Sequence, residues 1–164
     1  MLRRMLVAVD FSECGRHAAR YAFELARAMG GTVTLLHVLE ESGPLSSEPA
    51  QTLLRELGLQ ARRPPKCLIV PAGNEFDGPD SAADSLRGGV GPEVQVVSAI
   101  LAVAVGLDAD LILLGPHGQG NTDGRALGQV TQRVLLNARQ PVQVVPCNAH
   151  RTTYPRSLLR QPGV

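Results

Sequence analysis

Leu111-Ile-Leu-Leu114 runs directly into Gly115-Pro-His-Gly118-Gln-Gly120. Four consecutive apolar residues leave no polar face for water, the pattern of a strand covered on both sides in a parallel sheet. A helix is predicted over residues 127–138, followed by a β-rich run over 141–146. A glycine-bearing turn between a buried strand and a helix start is a device for holding an anion. Glycine lets backbone approach phosphate oxygens, and the first helical turn presents N–H groups at the positive end of its dipole. The plainer reading, that the glycines only permit a tight connection, stands beside it.

The same grammar opens the chain. Residues 5–9 form a continuous apolar run, Asp10-Phe-Ser12 turns it, and Ser12 is placed to cap a helix with Glu13 in its first turn. Ala18, Tyr21, Ala22, Leu25 and Met29 recur at helical spacing, Gly30-Gly31 ends the helix, and residues 32–38 form a second strand. Strand, helix and strand in this order make a βαβ unit. A further helix is expected over 48–61 and a short strand over 66–70. Residues 92–107 read either as one long helix with Pro92 in its first turn or as a strand at Val94-Gln-Val-Val97 and a shorter helix. The longer helix is preferred. Residues 71–91, rich in Gly, Pro, Asp and Ser, are expected to form a mobile loop, and residues 148–164 a flexible basic extension to a domain spanning 1–147.

With 164 residues and 44% hydrophobic composition, the chain suits one domain with its own core. A net charge of +1 and 3% aromatic residues argue against a nucleic-acid surface or an anionic membrane as partner. No apolar stretch is long enough to span a membrane, and Asp10 stops the first one too early for a signal peptide. Three cysteines, Cys14, Cys67 and Cys147, lack metal-ligand spacing and read as reduced thiols of a cytoplasmic protein.

The spacing Gly115-x2-Gly118-x9-Gly128 resembles the nucleotide loop of the universal stress protein family, G-x2-G-x9-G-S/T. Val-Ala-Val-Asp10-Phe-Ser12, Thr-Leu-Leu-His-Val38 and Pro141-Val-Gln-Val-Val resemble other strands of that family. One position departs: Gln129 stands where the family carries Ser or Thr. The expected architecture is an α/β fold, an open doubly wound five-stranded parallel sheet in the order 3-2-1-4-5 with helices on both faces. The ends of strands one and four then meet where the chain order reverses, the place such sheets bind ligands.

The resemblance implies a stress-response protein that binds ATP or another adenine nucleotide, with magnesium as counter-ion, acting as a sensor or switch without fast catalysis. Ala8, Val9, Asp10 and Val38 would lie beside the base. Gly115 and Gly118 would bring backbone to ribose and phosphate, and Gly128, Gln129, Val130 and Thr131 would open the last helix towards the phosphates. Asp10 reads equally as a turn carboxylate, and Thr131 as a hydroxyl bonded back into its own helix. Arg125 is a candidate phosphate partner opposed by Asp123, and His117 a candidate metal ligand more often found facing solvent. No lysine-bearing phosphate loop or Ser-His-Asp motif is present, so no catalytic residue is named. The other reading is a dimeric interaction module of the same fold that has given up nucleotide, with Gln129 filling the phosphate space. In either case the resemblance implies a homodimer through Val142-Gln-Val-Val145, an apolar edge strand.

Overall fold

The first apolar run becomes β1 (Arg4–Ala8), and its residues alternate between two cores. Met5 and Val7 join one cluster with Val33, Leu35, Leu111 and Leu113; Leu6 joins the other with Leu36, Val38, Ile112 and Leu114. An uninterrupted apolar strand is thus what a sheet covered on both faces requires. The structure is a computed structural model, and it describes residues 2–41, 43, 45–73, 91–118 and 127–147. The segment 74–90, with Arg125, Asp123 and the extension 148–164, lies outside the described residues.

The elements follow as α1 (Glu13–Met29), β2 (Thr32–Leu39), α2 (Ser47–Gly58), β3 (Lys66–Pro71), α3 (Pro92–Gly106), β4 (Leu111–Leu114), α4 (Gln129–Asn137) and β5 (Val142–Val144). All strand pairings are parallel, in the order β3-β2-β1-β4-β5. The helices α1 and α2 supply one core, and α3 and α4 the other. The expected doubly wound sheet and strand order are therefore present. Residues 94–97 are helical, as the preferred reading of that stretch had it.

Helix α1 departs from expectation in its buried face. Ala18 and Ala22 are inside as predicted, but Tyr21 and Met29 are exposed, while Ala19, Phe23 and Ala26 take the interior. Phe23 apart, the buried face of α1 is made of small residues, and a row of methyl groups lets helix backbone come close to the strands. Tyr21 instead accepts a hydrogen bond from Gln143 Nε2 at 3.0 Å, joining α1 to β5. The helix ends are as read: Ser12 Oγ accepts from the Gly15 N–H at 3.0 Å, and Gly30 closes the helix at φ 68°, a conformation that suits glycine. Helix α2 stops at Gly58, three residues short of the predicted 61.

At the opposite end of the sheet from the strand tips, Asp110 ties the edges of the first and fourth strands together. Its Oδ2 accepts from the backbone N–H groups of Arg3 at 3.0 Å and Arg4 at 2.8 Å. These two bonds, with the nearby Arg4 guanidinium, hold its carboxyl below the usual carboxylate range.

Candidate functional site

The carboxyl ends of β1 and β4 open into a cavity of about 690 Å³, within the range of small-ligand clefts. Ala8, Val9, Asp10, Val38, Gly115, Gly118 and residues 128–131 all line it, whereas the candidate Arg125 lies outside the described residues. Its apolar wall comes from Leu36, Val38, Val96, Ile100 and Leu114, and its polar groups include Asp10, Glu40, Glu93, His117 and Gln129.

The turn after β1 is built around a backbone reversal. Phe11 adopts φ 62° and is buried, an unusual conformation for a residue with a side chain. This lets Asp10 and Ser12 face each other: Asp10 Oδ1 accepts from the Ser12 N–H at 3.0 Å and from the Ser12 hydroxyl at 2.6 Å. The turn role offered for Asp10 is thus present, and its carboxylate also lines the cavity. The Phe11 ring stacks on His37 with centroids 4.6 Å apart. His37 Nδ1 lies 2.7 Å from the Val9 carbonyl, so Nδ1 carries the proton and donates.

Two glycines enclose the Asp10 carboxylate. A Cβ added to Gly15 would stand 2.6 Å from Oδ1, and one added to Gly118 would stand 2.5 Å from Oδ2. Neither position has room for a side chain while Asp10 holds its place. The acid turn and the glycine loop, more than a hundred residues apart in sequence, are therefore in direct contact.

The loop is also secured to α4. Thr131 is buried, and its hydroxyl donates to the Gly115 carbonyl at 2.9 Å rather than back into its own helix. The Gly128 N–H donates to the Pro116 carbonyl at 2.8 Å. Gly128 is the N-cap of α4 and has no side chain to offer, so the N–H groups of the first turn, at Gln129, Val130 and Thr131, have no side-chain cap. Gln129 is exposed at the cavity rim. Among the described residues, those that border the α4 start fit an anion: Gly118 and Gly128 carry no Cβ, and the helix start has no side-chain cap.

Several lining residues went unnoticed in the sequence. His37 sits one position from the expected Val38, and strand alternation alone does not announce that both reach the cavity. Glu40 and Glu93 converge from the end of β2 and the first turn of α3. Among the described lining residues none is Lys or Arg, so the cavity's charged side chains are carboxylates. His117 points its Nδ1 to within 3.6 Å of Cys14 Sγ. No group of three or more His, Cys, Asp and Glu among the described residues could hold a metal ion.

The expectation of three reduced thiols is corrected. Cys14 and Cys147 form a disulfide, their Cα atoms 4.9 Å apart across a sequence separation of 133. The pairing arises because the chain leaving β5 returns beside the start of α1, a proximity created only by the strand order. Cys67 is the free cysteine, and burial pushes its thiol up.

A family model described as the universal stress protein family matches residues 1–146. The chain belongs to the universal stress protein family. A universal stress protein of Thermus aquaticus, encoded 3′ of a QAH/OAS sulfhydrylase, is 29% identical over 147 residues, covering 88% of this chain and 99% of its own length. Universal stress protein MJ0531 of Methanocaldococcus jannaschii is 27% identical over 152 residues, covering 88% of this chain and 82% of its own. Among solved structures, protein MJ0577 superposes with a TM-score of 0.67 at 22% identity, over 89% of this chain and 96% of that one. A universal stress protein in complex with cAMP gives 0.62 at 20% identity, covering 89% and 98%. The Archaeoglobus fulgidus universal stress protein in complex with dAMP gives 0.53 at 23% identity, covering 88% and 98%. These likenesses agree with the five-stranded doubly wound fold. No helix among the described residues is long and apolar enough to cross a membrane.

Proposed function

We propose that this universal stress protein binds an adenine nucleotide, ATP or a mononucleotide, in the cavity at the ends of β1 and β4, and acts as a sensor or switch without fast catalysis. The observation that carries the reading is the Asp10 carboxylate held between Gly15 and Gly118, lining the same cavity as an α4 start that its Gly128 N-cap leaves without a side-chain cap. The apolar wall around Val38 and Ile100 suits a purine, with Ala8, Val9, Asp10 and the Val38 backbone along its polar edge. Gly115 and Gly118 bring backbone to the ribose and phosphate. The N–H groups of Gln129, Val130 and Thr131 then serve the phosphates. The adenine mononucleotides bound by the two related proteins, cAMP and dAMP, support the ligand class. A triphosphate would bring its magnesium as counter-ion, since the charged lining among the described residues is acidic.

Heat-denaturing the purified chain and analysing the supernatant by mass spectrometry is expected to release an adenine nucleotide. Calorimetric titration of the stripped protein is then expected to show saturable binding, and no heat at millimolar ATP or AMP refutes the proposal. The interaction-module reading needs Gln129 to fill the phosphate space; its exposed position supports the nucleotide reading instead.

The working unit in this reading is residues 1–147, in the cytoplasm, as a homodimer through β5. That strand is an edge of the sheet, and residues 142–144 are only half buried. Its outer backbone groups are suited to pairing with a second copy. The double substitution Pro141→Asp with Val144→Asp is expected to sediment as a monomer; a variant that sediments as the wild type does refutes this interface.

A further inference from the structure

Cys14 occupies the second position of α1, directly behind the glycine loop. A Cβ on Gly115 would stand 3.1 Å from Cys14 Cβ and 3.0 Å from its carbonyl carbon. The next residue, Gly15, backs the Asp10 carboxylate, and His117 touches the Cys14 sulfur while lining the cavity. Cys147 is the less buried residue of the pair and follows β5, whose neighbour β4 leads into Gly115. We propose that Cys14 and Cys147, with His117 beside them, form a reversible dithiol–disulfide centre. It exchanges with low-molecular-weight thiols and disulfides and thereby sets the nucleotide affinity of the adjoining cavity. The coupling clause rests on the proposed nucleotide site; the thiol chemistry does not.

The exchange is balanced in two displacements. A thiolate RS⁻ attacks the sulfur of the less buried Cys147, forming a mixed disulfide and breaking the bond to Cys14. Cys14 leaves as a thiolate at a helix N-terminus, where the dipole favours negative charge, and His117 is placed to pass it a proton. A second RS⁻ attacks the R sulfur of the mixed disulfide, releasing RSSR and the Cys147 thiolate, which takes a proton from solvent. Two thiols supply two electrons and two protons, and one small disulfide leaves. Oxidation by RSSR runs the same steps backwards. In the cytoplasm proposed above, a disulfide is of this transient kind rather than a permanent staple. Opening it frees the start of α1 from the end of β5, and both ends adjoin backbone that shapes the cavity.

The test uses the full chain equilibrated in glutathione buffers from fully reduced to fully oxidised, quenched in acid, denatured and alkylated. Three adducts are expected at the reduced end and one, on Cys67, at the oxidised end, with a Cys14–Cys147 peptide recovered and the change reversible. Three adducts in every buffer, or a link between two chains, overturns the centre. AMP and ATP are then titrated into both forms, with affinities expected to differ about five-fold or more, in the usual range of coupling between sites. Cys147→Ser is expected to bind like the reduced wild type and to ignore the buffer. Equal affinity in the two wild-type forms overturns the coupling. A chain that binds no nucleotide in either form refutes the proposed function, and the adduct count alone then decides the centre. For His117, the readout is the rate of disulfide reduction by glutathione, expected to fall about ten-fold in His117→Ala with a flatter pH profile; an unchanged profile overturns its part.

Discussion

Removing the Thr131 hydroxyl isolates a side-chain bond that, among the described residues, anchors the glycine loop to α4. Thr131→Val keeps shape and volume but deletes the donor to the Gly115 carbonyl, which now bonds at 2.9 Å. The lost bond is worth about 1 kcal/mol, and a carbonyl stranded in the interior adds up to about 1 more. Gly115 is half-buried, so water reaches its oxygen in part and the sum stays near 1–2 kcal/mol. For a domain of this size that lowers Tm by about 2–8 °C. With a urea m-value of about 2 kcal/mol/M, the midpoint falls by about 0.5–1 M with the slope unchanged. Unfolding is followed by circular dichroism without reductant, so that the Cys14–Cys147 bond stays closed. The same variant is expected to bind AMP less tightly than wild type, because the loop loses its tether at the phosphate end. A variant within about 0.3 kcal/mol of wild type and unchanged in affinity refutes the anchoring role, since a hydroxyl without a needed bond is replaced by a methyl of the same shape at little cost.

Gly118→Ala places a methyl against Asp10 Oδ2; a loss of about ten-fold or more in nucleotide affinity is expected, with a lower urea midpoint where Asp10 gives up its Ser12 bonds, and retained affinity refutes the enclosure. Gln129→Ser places a hydroxyl at the start of α4 and is expected to tighten ATP about three- to ten-fold in calorimetry, the net worth of one ordinary hydrogen bond; weaker binding would show that the amide already contacts the ligand. Asp110 has its folded pKa depressed chiefly by the Arg4 and Arg3 N–H bonds. Its contribution is thus present above the ordinary carboxylate value and lost as pH falls through the lower folded one. The stability gap between wild type and Asp110→Asn is expected to close in urea titrations as pH falls below the ordinary carboxylate range, and a gap that is constant with pH refutes the assignment.

Where local chemistry decides the outcome, the chain was readable before any coordinates. The apolar runs of β1 and β4, the Ser12 cap, the Gly30 stop and the Gly115-x2-Gly118-x9-Gly128 spacing each act over a few residues, and all fell where expected. The expected site residues gather at one cavity because strand order follows from those elements and the family resemblance. What escaped notice depends on distance. The face of α1 was misjudged because hydrophobicity points to Tyr21 and Met29, whereas close approach to the sheet selects Ala19 and Ala26. The Cys14–Cys147 bond spans 133 positions, and its partners share no motif. Glu40 and Glu93 reach the cavity from separate elements, with nothing in either stretch to mark them. Thr131 looked free to serve a ligand or its own helix, and the partner it chose lies 16 residues back in the loop.

The alanine face of α1 has a consequence that reaches well beyond its own packing. Ala18, Ala19, Ala22 and Ala26 rest on the strands with almost no accessible surface, so methyl groups set the height at which the helix rides. Its first turn carries Ser12, Cys14 and Gly15, which meet Asp10 and Gly115 with a clearance of about one atom. A bulkier residue at Ala22, two turns from any ligand, would raise the whole rod and spoil that fit, so the tolerance of the pocket is written into a stripe of residues that never touch it.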